Sequence, residues 1–187
     1  MANNTRSASS GQAWQIALRF SLLTLTVFYL LTSSVSAASE YVLPYPSFMP
    51  GSKFYTVHLL WEKAMAHWYF GSFSQFRYNL SLSDKYVVEA KTLLEYKQYF
   101  FVYRALQKSD GYFMNALNEL TNAQKENKNI DQKQNILRSA SLKHIEVLEH
   151  LKKIVPVEFI WQEEKKDSVK LPLKGAIDTS ITIRKRI

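Results

Sequence analysis

Apolar residues recur along this chain at the three- and four-residue steps of a helix, in four consecutive runs. The first puts Phe54, Val57, Trp61, Ala64 and Trp68 on one face, widened by Leu60 and Met65. It predicts a helix capped by Ser52 and stopped by Gly71-Ser72, with that aromatic face in the core. The second aligns Phe73, Phe76, Leu80, Ser83, Val87, Ala90 and Leu94 and predicts a helix over residues 74–95. The third aligns Tyr99, Val102, Leu106, Ser109, Phe113, Ala116 and Leu120. Its register continues through Asp110-Gly111, so one helix is expected there even though a helical Gly costs about 1 kcal/mol against Ala. The fourth runs from Asp131 to Ile154, with Leu137, Ala140, His144, Leu148, Leu151 and Val155 on its face and Pro156 as its stop.

Short polar breaks between amphipathic helices favour antiparallel neighbours, so the expected fold is all-α, an up-and-down bundle of about four helices. Tetratricopeptide-like helical hairpins are the alternative, although no second copy of a repeat is visible. After Pro156 the helical period is lost. Val157 to Trp161 is expected to lie on the bundle, and the rest of residues 156–187 to form an increasingly mobile extension.

The N-terminus reads as an address. Arg6 and Arg19 precede FSLLTLTVFYLL, residues 20–31, and Val35 and Ala37 supply small side chains where a signal peptidase needs them. Residues 1–37 are therefore expected to be a signal peptide cleaved after Ala37, with an uncleaved anchor as the competing reading. A membrane span needs about 20 apolar residues, and Arg19 shortens this one.

The formal charge is +8. Cleavage would leave 22 cations against 16 acids, a balance of +6 that suits an anionic neighbour as well as simple solvation. There is no Cys, which excludes disulfides, thiolate metal sites and a Cys nucleophile.

Between the address and the first helix lies VLPYPSFMPGSKFY, residues 42–55. Pro44, Pro46 and Pro50 hold it extended, as a strap over residues 38–51. Leu43, Tyr45 and Phe48 are expected to lie against the bundle, and Gly51-Ser52 to turn the chain into the helical domain of residues 52–155.

Three stretches, LPYPSFMPGSKFY, LSDKYVVEAKTLLEYKQY and RALQKSDGYFMNAL, together resemble a bacterial family of exported helical domains known as domain of unknown function 5667. The residues that carry the likeness include Leu43, Pro44, Tyr45, Pro46, Pro50, Tyr55, Asp84 and Lys85. Ser47 stands where the family often has Gly, and Tyr86 where it usually has a basic residue. The resemblance implies a fold and a compartment outside the cytoplasm, and no reaction.

No catalytic constellation is visible. The chain lacks a Gly-x-Ser-x-Gly elbow and a Ser-x-x-Lys pair, and its five Gly are isolated. His58 with Glu62, and Glu146 with His150, have helical i,i+4 spacing that a metal can share, but solvated surface pairs are the plainer description. His144 falls on an apolar stripe and reads as a hydrogen-bonded core residue. Asp84, Glu89 and Glu95 share a helix, and Asp84, bordering Ser83, is expected to tie that helix to a neighbour.

The sequon at Asn79 includes the stripe residue Leu80 and is expected to be inaccessible. Arg184, Lys185 and Arg186, after Lys165, Lys166, Lys170 and Lys174, are expected to form a solvated basic tail. The sequence thus points to an exported, non-enzymatic binding or structural module without a cofactor, whose partner is a protein or an anionic envelope polymer or lipid. No nucleic acid and no small-molecule substrate are indicated. The alternatives are a small envelope hydrolase using Asp or Glu with His58 or His144, and a periplasmic metal-binding bundle.

Overall fold

The computed structural model describes residues 41–187; the expected signal peptide and the expected cleavage after Ala37 lie outside the described residues. The described residues are all-α apart from one small hairpin. Its helices are α1 (Tyr55–Ala66), α2 (Ser72–Glu95), α3 (Tyr99–Lys125), α4 (Asp131–Ile154) and α5 (Leu173–Arg184). Strands β1 (Phe159–Trp161) and β2 (Val169–Leu171) pair antiparallel between α4 and α5, with Ile160 opposite Lys170.

The long helices form where their stripes place them. Phe76, Leu80, Val87, Ala90 and Leu94 of α2 are buried, as are Val102, Leu106, Phe113, Ala116 and Leu120 of α3 and Leu137, Ala140, Leu148 and Leu151 of α4. α3 is continuous across Asp110-Gly111. α2 lies in the middle of the body and buries a second stripe, Tyr78, Leu82, Tyr86 and Leu93. Facing stripe serines bring α2 and α3 close: Ser83 Oγ donates to the Ser109 carbonyl at 3.0 Å, and Ser109 Oγ donates back to the Ser83 carbonyl at 2.9 Å.

Both tight turns of the bundle close without Gly. Lys97 and Asn127 take positive φ, each 57°. Around them the amides of Lys97 and Gln98 bond the carbonyls of Leu94 and Leu93, and those of Asn127 and Lys128 bond the carbonyls of Gln124 and Ala123. This is the Schellman pairing that satisfies the last carbonyls of a helix.

Two expectations are overturned at the N-terminal end. Phe54, Val57, Leu60, Trp61 and Trp68 form the expected stripe, but it faces solvent, with Trp68 77 % exposed. α1 turns its opposite side inward, and Glu62 is its buried residue. The helix starts at Tyr55 behind a turn in which Ser52 Oγ accepts from the Phe54 amide, and it ends at Ala66; Gly71, at φ 83°, serves as the entry to α2.

The strap is fastened differently from expectation. Gly51, at φ 96°, makes the turn, but Tyr45 is 95 % exposed and Phe48, Pro44 and Pro46 are also exposed. Tyr41 and Met49, with partly buried Leu43, face the body instead, and the Tyr41 hydroxyl donates to Asp84 Oδ2 at 2.6 Å. Tyr45→Ala should therefore change stability by less than about 0.5 kcal/mol. Tyr41→Phe should cost about 1–2 kcal/mol, because it removes a bond to a carboxylate. Thermal melts of the two variants check both values.

The C-terminal extension is part of the fold. Phe159 packs on Tyr99 with ring centroids 5.1 Å apart, and Trp161 meets Phe100 edge-on at 4.7 Å. α5 buries Leu173, Ile177 and Ile181 against the long helices, and Arg184, expected in a solvated tail, is 0 % exposed. Its body-facing residues recur at helical steps too, but within only twelve residues.

Candidate functional site

Two polar constructions occupy the interior and meet at α2. The first joins α2, α3, α4 and α5. Arg184 Nε donates to His144 Nδ1 at 3.0 Å, so this nitrogen carries the lone pair and Nε2 carries the proton, donated to Asp84 Oδ1 at 2.7 Å. Other guanidinium hydrogens reach Asp110 Oδ1 at 2.6 Å, the Ser180 carbonyl at 2.9 Å and Ser109 Oγ at 2.7 Å. Ser180 Oγ donates to Asp110 Oδ2, and Ser141 Oγ donates to the Arg184 carbonyl, both at 2.7 Å. Burial holds the His144 imidazole below its ordinary protonation range, and the nearby guanidinium adds to that, against the pull of Asp84. Asp84 thus links α2 to a neighbour, as its position beside Ser83 suggested, and also holds the strap through Tyr41.

The second construction fastens α1. Glu62 binds Lys85 through Oε1 and accepts from the Tyr86 hydroxyl through Oε2 at 3.0 Å. His58 Nε2 lies 3.2 Å from Glu62 Oε1, and the Glu62 carbonyl accepts from the Tyr78 hydroxyl at 2.6 Å. One turn along α2 from Lys85, Glu89 accepts from the Tyr55 hydroxyl at 3.1 Å. Lys108 of α3 sits 4.8 Å from the Tyr86 ring. Burial, with the neighbouring carboxylates, raises the tyrosine hydroxyls, Tyr78 to about 12 and Tyr55 and Tyr86 further, so they act as donors and not as phenolates.

Glu89 is the strained member. It is buried, its Oε2 has no hydrogen-bond partner among the described residues, and burial raises its pKa above 4.5 despite Tyr55, Lys85 and Lys108. A carboxyl raised in the folded state contributes stability below its ordinary titration range and loses it as pH climbs through the raised value. Glu89→Gln removes that loss. Its melting temperature relative to the parent should rise with pH above 4.5 and level off once the parent carboxyl is fully ionised. Parallel melting curves from acid to neutral pH would show that Glu89 carries no such penalty.

Between the strap, α1 and α2 a groove of about 780 Å³ opens over both constructions. Leu43, Trp61, Met65 and Leu82 give it apolar walls; Glu62, Lys85 and Asp84 give it charge, and His58 an imidazole. Of the motif residues, Leu43, Pro44, Tyr45, Asp84 and Lys85 meet at this groove. Tyr55 lies one turn away on Glu89, while Pro46 is exposed and Pro50 half-buried. Glu62 and Arg184 are the interior charges that the periodicity did not single out.

Glu146 pairs with Lys143 at 2.7 Å, and His150 is exposed beside it on the solvent side of α4. Asn79 of the sequon is buried. Among the described residues no three metal-ligating side chains converge, and no helix is long and apolar enough to cross a membrane. No family model, curated protein or solved structure matches the chain.

Proposed function

We propose that this chain is a non-enzymatic binding module of the bacterial cell envelope, exported by its N-terminal segment, which takes a protein or envelope-polymer partner in the groove beneath the strap. The observation that supports this reading is the groove itself. It sets apolar walls beside Glu62 and Lys85, a mixture suited to orienting a partner that is partly apolar and partly charged. The polar groups of the core, in contrast, are occupied with one another: His144 and Arg184 are sealed at 0 % exposure.

The test is cell fractionation of the full chain with sequencing of the exported N-terminus, combined with a photo-crosslinking residue at Met65 in the groove or at exposed Lys153 on α4. Exported protein beginning after Ala37, with a discrete adduct from position 65 alone, supports the reading. Intact protein confined to the cytoplasm, or equal adducts from both positions, rejects it.

The hydrolase alternative now concerns His58 with Glu62, at 3.2 Å, since His144 has no access to a substrate. It requires His58→Ala and Glu62→Gln to abolish turnover of a wall or glycan substrate without loss of fold.

A further inference from the structure

We propose that the outer face of α1 is a docking surface for an anionic lipid bilayer. Phe54, Val57, Leu60, Trp61 and Trp68 line one side of α1 and its exit, and each is more than half exposed. Five large apolar side chains so disposed are more than a scattering of surface residues; Phe54 also meets the Phe48 ring and Trp61 edges the groove, yet both stay more than half exposed. α1 does not face outward by default. Its inner side is fixed by Tyr55, Glu62 and the tyrosines of α2, so the aromatic row is held in one orientation.

The charges around the row specify its partner. From Tyr41 to Ser83 the sequence holds a single acidic residue, Glu62, and that side chain is buried. Lys53, just before the helix, and Lys63, on it, are exposed. The segment is therefore aromatic and cationic with no exposed acid of its own, the composition by which interfacial helices settle among anionic headgroups. Indole rings add to this, because they favour the boundary between headgroup and acyl chain. The apolar run of residues 20–31 ends upstream of Tyr41. A chain that retains it meets the same bilayer twice, and a chain that loses it depends on α1. The inference rests on the envelope reading only for which membrane is met; binding to vesicles tests it apart from export and apart from the groove.

The chain has no Cys, so Leu60→Cys in the full chain gives a unique site for an environment-sensitive dye. The labelled protein is mixed with vesicles of phosphatidylcholine alone or with phosphatidylglycerol added. Docking requires a blue-shifted dye and co-sedimentation with the anionic vesicles, both weakening as salt rises. Val57→Ser with Trp68→Ser, both outside the groove, should weaken vesicle binding at least tenfold, since docking would otherwise remove these two apolar side chains from water. Both positions are exposed, and a circular dichroism spectrum of the double variant checks its helices.

Three results overturn the proposal: no binding to anionic vesicles, sedimentation with an unchanged dye spectrum, and unchanged affinity of the folded double variant. A blue shift that grows with protein concentration in the absence of vesicles also overturns it, in favour of a second copy covering the face.

Discussion

Replacing Arg184 with Ala is expected to lower stability by about 3–5 kcal/mol, the range found when one partner of a buried ion pair is removed. For a chain of this size that corresponds to a fall in melting temperature of roughly 6–20 °C. The guanidinium is fully buried, and it joins Asp110, Ser109, Ser180 and His144 from three helices. Its loss leaves the Asp110 carboxylate without its cation and His144 Nδ1 without a donor, in an interior that supplies neither. Arg184→Lys should restore only part of the stability, because an ammonium cannot present the planar fork that reaches several acceptors at once. A thermal shift below about 2 °C for Arg184→Ala would mean that the network is peripheral to stability.

The second large effect is expected at Asp84. Asp84→Ala removes the acceptor of both the His144 Nε2 proton and the Tyr41 hydroxyl, and should cost about 2–4 kcal/mol. Part of that cost belongs to the strap, and a double-mutant cycle separates it. With Tyr41→Phe and Asp84→Ala combined, the losses should fall short of additive by about 0.5–1.5 kcal/mol. Strict additivity would show that the strap does not depend on Asp84. Asp84→Asn should be milder than Asp84→Ala, since an amide oxygen still accepts one of the two bonds.

The bundle was legible in the sequence wherever apolar stripes meet apolar stripes. α4 has the expected bounds, and α3 passes Gly111 without a break. Asp84 and His144 were also legible, because a polar residue on or beside a core stripe must find a partner inside. α1 shows the limit of the same logic. Its apolar periodicity is real, but hydrophobicity does not identify the inward side of a helix when a neighbour offers fixed donors. The signal for inversion was the second stripe of α2, where Tyr78 and Tyr86 alternate with Leu82 beside Lys85 and make a surface fit to receive a carboxylate.

The hairpin and α5 were missed for a related reason. Leu173, Ile177 and Ile181 keep helical steps, but Ser180 and Arg184 on the same side read as polar until Asp110 and His144 are placed opposite them. The groove was not legible at all, because it arises from how strap and helix lie across α2, which no local pattern encodes.

The wiring of the core also dictates how the molecule must be assembled. Asp84 waits for His144, which lies 60 residues further along the chain, and Ser109 waits 75 residues for Arg184. α2, α3 and α4 can therefore bring their stripes together only at the cost of an unpaired Asp110 until α5 arrives. Loops of this span close slowly relative to local helix formation, so docking of α5 is the committing step. Hydrogen exchange should record this as shared fate: when Arg184 is substituted, amides of α2 around Asp84 should lose protection together with those of α5, although the two segments lie a hundred residues apart in sequence.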